Sequence, residues 1–209
     1  MGAGVRQRGI ELGVEPLQDL PGRAGARFEL ALASYEPRDQ EMLEAKGWQV
    51  RDALGFSKDL EAYRTYITGS RGEFTVAKDQ NVRLRTGWFS DRSATYLAAG
   101  RPVVTQETGF SDNLPTGAGL FGVSDLDEAV EAISRIEADY EGQRQAAFAI
   151  AREYFDAQAV LGQLLEEVGL GVSPNAVPAS IAGILNALSV SAGYWGCGGG
   201  AYDACWSVA

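Results

Sequence analysis

Apolar residues along the first 170 positions alternate between short unbroken runs and longer stripes at helical spacing. Phe28-Glu-Leu-Ala-Leu-Ala33 is a short apolar run and reads as a strand. A helical stretch follows from Arg38 to Ala45 and closes at Gly47, a residue type that commonly ends helices. Trp48-Gln-Val-Arg-Asp-Ala53 suggests the next strand, and residues 58–67 the next helix. Glu73-Phe-Thr-Val-Ala77 is β-branched and aromatic, hence strand-like. Ser90 can cap a helix running through Leu97 to Ala99 and stopped by Gly100. Pro102-Val-Val-Thr105 begins another strand, with proline tolerated at its first position. Leu120-Phe-Gly-Val123 is a further short strand, and Leu126, Ala129, Val130, Ile133 and Ile136 form a helical stripe after Ser124. Two more helices follow, one through Ile150 and Tyr154, the other through Val160, Leu161, Leu164 and Leu165. This alternation predicts an α/β domain: a Rossmann-like parallel sheet with helices on both faces, over residues 25–170.

The flanks differ in character. Residues 1–24 are rich in Gly and Arg, lack periodicity and end in the turn signal Leu20-Pro21-Gly22, so an irregular segment is expected there. Residues 171–209 hold one charged residue, Asp203, and finish in Gly/Ala-rich sequence. Ile181, Ile184, Leu185 and Leu188 would share one helical face, so the tail is expected to be poorly ordered or to pack as one helix. A membrane span is not expected, because Ser, Asn and Pro interrupt its sparse bulky apolar residues.

Composition narrows the chemistry. With 45% hydrophobic and 22% charged residues the chain is that of a globular protein rather than a disordered one. A net charge of −10 argues against general nucleic-acid binding, which calls for a basic surface. The absence of histidine excludes His-based acid/base chemistry and the commonest zinc ligand sets. Cys197 and Cys205 are too few for a disulfide scaffold, and no metal site is expected from them. The opening residues lack the apolar core of a signal peptide, so the expectation is a cytoplasmic chain with both thiols reduced.

Charge is unevenly spread. From Arg64 to Arg101 there are seven bases against three acids, a basic island in an acidic chain. These bases could be solvated or could partner nearby carboxylates; together they could also clamp a small anion such as a diphosphate. Thr86-Gly87-Trp88-Phe89-Ser90-Asp91-Arg92-Ser93 offers a glycine, a helix start and a base in the first turn. Helix starts bind phosphate through free N–H groups. A base there suits a bound anion or an ion pair with Asp91 or another neighbour. Glu107-Thr108-Gly109-Phe110-Ser111 follows the next strand, and in open α/β sheets such loops share the ligand-binding rim.

Tyr63-Arg-Thr-Tyr-Ile67 and the run Ser70-Arg-Gly-Glu-Phe-Thr-Val-Ala-Lys-Asp-Gln-Asn-Val-Arg-Leu-Arg-Thr-Gly-Trp-Phe-Ser-Asp-Arg-Ser-Ala-Thr-Tyr-Leu-Ala-Ala-Gly-Arg-Pro-Val-Val104 resemble a bacterial glycosyltransferase of GT-B type, family 1/4-like. The likeness is to the donor-binding C-terminal half, continues through Gln106-Glu-Thr-Gly-Phe110 and Leu114-Pro-Thr-Gly117, and covers roughly residues 15–170. Ala98-Ala-Gly-Arg-Pro-Val-Val104 matches the end of the element that holds the nucleotide diphosphate in that family. The family's pair of glutamates spaced E-x7-E is not matched: Gly87 and Thr95 stand in those places. Residues 171–209 do not resemble the family's usual ending, which leaves a fused or frame-shifted sequence open.

The resemblance implies a single GT-B half-domain that binds a nucleotide-sugar donor with no metal. Arg71, Lys78, Gly87, Trp88, Ser90, Asp91, Arg92, Thr95, Glu107, Thr108, Gly109 and Phe110 would form the nucleotide site. It names no catalytic residue. Because only about 25 residues precede the first strand, transfer of a hexose-type sugar would need a separate N-terminal acceptor domain. The alternative is a non-catalytic nucleotide-sugar-binding or protein-interaction module.

Overall fold

A computed structural model of the chain describes residues 17–169 and, as backbone alone, residues 203–207. In chain order the described elements are α1 (Leu20–Ala24), β1 (Arg27–Leu32), α2 (Pro37–Ala45), β2 (Trp48–Asp52), α3 (Leu60–Gly69), β3 (Gly72–Thr75), α4 (Asp79–Arg83), α5 (Asp91–Ala98), β4 (Val103–Gln106), β5 (Leu120–Val123), α6 (Leu126–Ala138), α7 (Tyr140–Tyr154), α8 (Ala157–Glu167) and β6 (Asp203–Ser207). Each helix from α5 onward starts behind a residue whose side chain accepts a first-turn N–H: Ser90, Asp125, Asp139 and Asp156.

The strands form one sheet in the order β2-β1-β6-β3-β4-β5. β1 pairs with β2, and β3 with β4 and then β5, all in parallel. Successive strand residues face opposite sides, and neighbouring Val103 and Val104 enter different cores. On one face Phe28, Leu30, Trp48, Phe74, Val104 and Phe121 pack with Leu43 of α2 and with Ala129, Ile133 and Ile136 of α6. On the other, Val103 and Leu120 pack with Ile67 of α3, Leu97 of α5 and Ala147 and Ile150 of α7. The fold is therefore α/β and Rossmann-like, with helices on both faces of parallel strands.

Three features depart from the sequence expectation. Residues 17–24 are not irregular: a 3-10 turn and α1 bury Leu17 and Leu20 completely enough to join the first core. Leu20-Pro-Gly reads as a turn, yet proline in a first helical turn removes an N–H that has no intrahelical partner anyway. Second, the sheet is not wholly parallel, because β6 runs antiparallel to both β1 and β3 and joins the two parallel blocks. Third, residues 203–207 of the tail form this strand, which the sequence pattern does not announce. The helix expected at Ile181–Leu188, Cys197 and the Cys205 side chain lie outside the described residues. Among the described residues no helix is long and apolar enough to cross a membrane.

Candidate functional site

Chain direction sets where the two glycine loops meet. β3 and β4 are parallel neighbours, so the segments leaving Thr75 and Gln106 emerge at the same edge. Gln106 Oε1 accepts from Ala77 N–H at 3.2 Å and ties these two exits together. Higher up, Gly87 N–H donates to Thr108 O at 2.8 Å, and the Thr108 hydroxyl donates to Trp88 O at 2.6 Å. Loops 76–90 and 106–113 thus form one stitched rim.

The stitching forces backbone choices. Gly109 sits at φ +96°, and a Cβ there would meet Arg85 O at 3.1 Å. Arg85 itself holds φ +46°, unlike any other non-glycine among the described residues. It is the left-handed residue that closes α4, with Arg85 N–H donating to Val82 O and Thr86 N–H to Asn81 O, both at 3.2 Å. Gly109→Ala is expected to cost about 1–3 kcal/mol, the usual range for a forced left-handed residue. It should also speed hydrogen exchange of the Gly87 amide, measured by NMR. An unchanged unfolding midpoint with unchanged Gly87 exchange would contradict the clamp.

Not all the sequence candidates reach this rim. Lys78 does: it precedes α4, is exposed, and has no carboxylate within ion-pair distance among the described residues. Gly87 and Trp88 form the lip, and Ser90 caps α5 by accepting Arg92 N–H at 3.2 Å. Asp91 Oδ1 accepts the same N–H at 2.9 Å, which places a carboxylate in the first turn. Thr95 is exposed one turn on, and its hydroxyl is spent on Asp91 O at 3.0 Å. Glu107 folds back over its own loop, its Oε1 accepting from Gly109 N–H.

Four candidates take other roles. Arg71 precedes β3 whereas Lys78 follows it, so the two stand at opposite ends of the strand. Arg71 Nε donates to Glu137 at 2.7 Å while the guanidinium lies 3.7 Å from the Tyr140 ring centre. Hydrogen bonding to Glu137 holds the Arg71 pKa above its ordinary value against partial desolvation. Arg92 is engaged by β3. Its Nε donates to Glu73 Oε1 at 2.6 Å and its Nη2 to Thr75 Oγ1 at 2.9 Å. The Glu73 side chain is 1% exposed and that of Arg92 12%, so this is a buried ion pair. Phe110 is buried against Phe89, ring centres 5.3 Å apart, and Thr108 is buried as the stitch.

Sequence reasoning passed over Gln106, Arg85 and Asn81, whose carbonyl accepts Thr86 N–H at 3.2 Å. Gln106 acts through a side-chain contact made only once the loops meet, and Asn81 and Arg85 through the backbone turn that closes α4, which no glycine announces. A groove of about 730 Å³ lies elsewhere, between α3 and β2, lined by Glu29, Arg51, Phe56, Thr65 and Tyr66. Arg51 there pairs with Glu29 and its guanidinium sits 5.1 Å from the Phe56 ring centre. The rim, not the groove, therefore presents a cation open to an anion.

Comparisons of the chain with family models, with curated proteins and with solved structures give no match.

Proposed function

We propose that this domain binds a nucleoside diphosphate, or its sugar conjugate, on the rim at the carboxyl ends of β3 and β4. The observation that carries this reading is the convergence of three things at one edge: the stitched glycine loops, the capped start of α5 and exposed Lys78. Crevices outside the carboxyl ends of parallel strands are where open α/β sheets take ligands, and helix starts favour phosphate. The resemblance to a GT-B donor half gives the ligand its class: a nucleotide sugar, handed to an acceptor when an N-terminal domain closes over the rim. Neither a metal nor another cofactor enters this proposal.

A second reading has its own support. Asp91 and Glu107 put carboxylates in the rim, Arg71 and Arg92 are committed to ion pairs, and Gly87 and Thr95 replace the family's glutamates. That set fits a module that binds nucleotide sugar or a protein without transferring anything.

Calorimetric titration with uridine, guanosine and adenosine diphosphates separates nucleotide binding from the protein-interaction reading. Wild type is expected to bind at least one, and Lys78→Ala to weaken it about 10–100-fold, the worth of a charge-assisted contact. Arg144→Ala, whose partner Glu141 stands on α7, should change affinity little. Folded wild type that binds none of the three would leave the protein-interaction reading standing alone.

A further inference from the structure

The start of α5 is gripped from beneath by two buried side chains of β3. Glu73 and Thr75 stand two apart on β3 and so share a sheet face. The Arg92 guanidinium takes hold of both, at 2.6 Å and 2.9 Å. A planar fork fastened at two points fixes orientation as well as distance, which a lysine ammonium at the same place would not. Burial of both partners places these bonds in low dielectric, where a charge-assisted hydrogen bond is stiff and directional. Two residues before Arg92 is the cap Ser90, and two before that is Trp88, whose carbonyl is held by Thr108. The first turn is thereby tied to β3 below and to the 107–110 loop beside it.

We propose that Glu73 is a positioning residue: acting through Arg92, it sets the first turn of α5 against Lys78 and the 107–110 loop without touching a ligand. Its effect on affinity rests on the diphosphate reading above; its effect on the helix does not. Arg92 accordingly contributes geometry to an anion site and not charge.

The test reads both levels in wild type, Glu73→Gln, Thr75→Val and Lys78→Ala. Hydrogen exchange of amides 92–94 should speed up roughly tenfold or more in Glu73→Gln and by less in Thr75→Val, with α6 and α7 amides unchanged. Calorimetry with uridine, guanosine and adenosine diphosphates at two salt concentrations should show about tenfold weaker binding in Glu73→Gln with the wild-type salt dependence. Lys78→Ala should weaken binding and flatten the salt dependence. Thr75→Val removes one hydroxyl without disturbing a charge, so it carries the test should Glu73→Gln fail to fold. Unchanged exchange of amides 92–94 in a folded variant would overturn the proposal. So would tighter binding in Glu73→Gln, which would mean that a released Arg92 reaches the anion itself. Faster exchange in a protein that binds none of the diphosphates would uphold the positioning of α5 and remove the diphosphate reading.

Discussion

Arg92→Ala is expected to destabilise the domain by about 3–5 kcal/mol, the usual cost of removing one partner from a buried ion pair. The physical reason is what stays behind. Glu73 is 1% exposed, so its carboxyl group would lose the guanidinium in a place water barely reaches. The Thr75 hydroxyl, also buried, would lose its donor. The pair as a whole is a different matter, because taking two charges out of water costs about what their attraction returns. The double variant Arg92→Met/Glu73→Leu should therefore recover at least half of the loss. Urea unfolding of the three proteins checks both statements. A change under about 1 kcal/mol in Arg92→Ala would show that the charge at Glu73 is met some other way.

Gly119→Ala is expected to cost about 3 kcal/mol or more, from two sources acting at once. Gly119 holds φ +72°, where an alanine is strained, and its Cβ position lies 2.2 Å from Ala147 N and 2.7 Å from Ala146 C. Those are backbone atoms of α7 and cannot swing aside as a side chain would. The closeness has a purpose in the fold: Gly119 O accepts from Val103 N–H at 3.0 Å, and its N–H donates to Gln143 of α7 at 2.7 Å. One glycine thus locks the edge of the sheet to the helix above it. Gly162→Ala, in the open interior of α8 with nothing within 4 Å, should instead raise stability by about 0.5–1 kcal/mol. Thermal midpoints measured side by side should move in opposite directions; a shared direction would contradict the account of either site.

These two cases show where the sequence was legible. Local signals placed the elements well: the Ser90 cap, the strands at Phe28, Trp48 and Val103, and the stripe from Leu126 to Ile136 all stand where periodicity puts them. One charged oddity was visible too. The base in the first turn of α5 looks wrong alone, and Glu73 answers it across the space between α5 and β3. Sequence offered Arg92 both an anion and a neighbouring carboxylate, and only the three-dimensional arrangement selects Glu73. What pattern could not supply was β6, because an antiparallel strand brought from the far end of the chain leaves no trace in local spacing. Arg85 was equally hidden, since the left-handed residue that closes a helix is usually a glycine and here an arginine closes α4.

Binding of a diphosphate on the rim above β3 and β4 is tested most directly by amide chemical-shift mapping. Isotope-labelled protein is titrated with uridine, guanosine and adenosine diphosphates, and shifts are read residue by residue. The account predicts that the largest changes fall on amides 78, 87–93 and 107–110, saturating together, with α8 and the Arg51–Tyr66 groove unmoved. Changes centred on Arg51, Phe56 and Tyr66, or a spectrum that none of the three nucleotides disturbs, would contradict it.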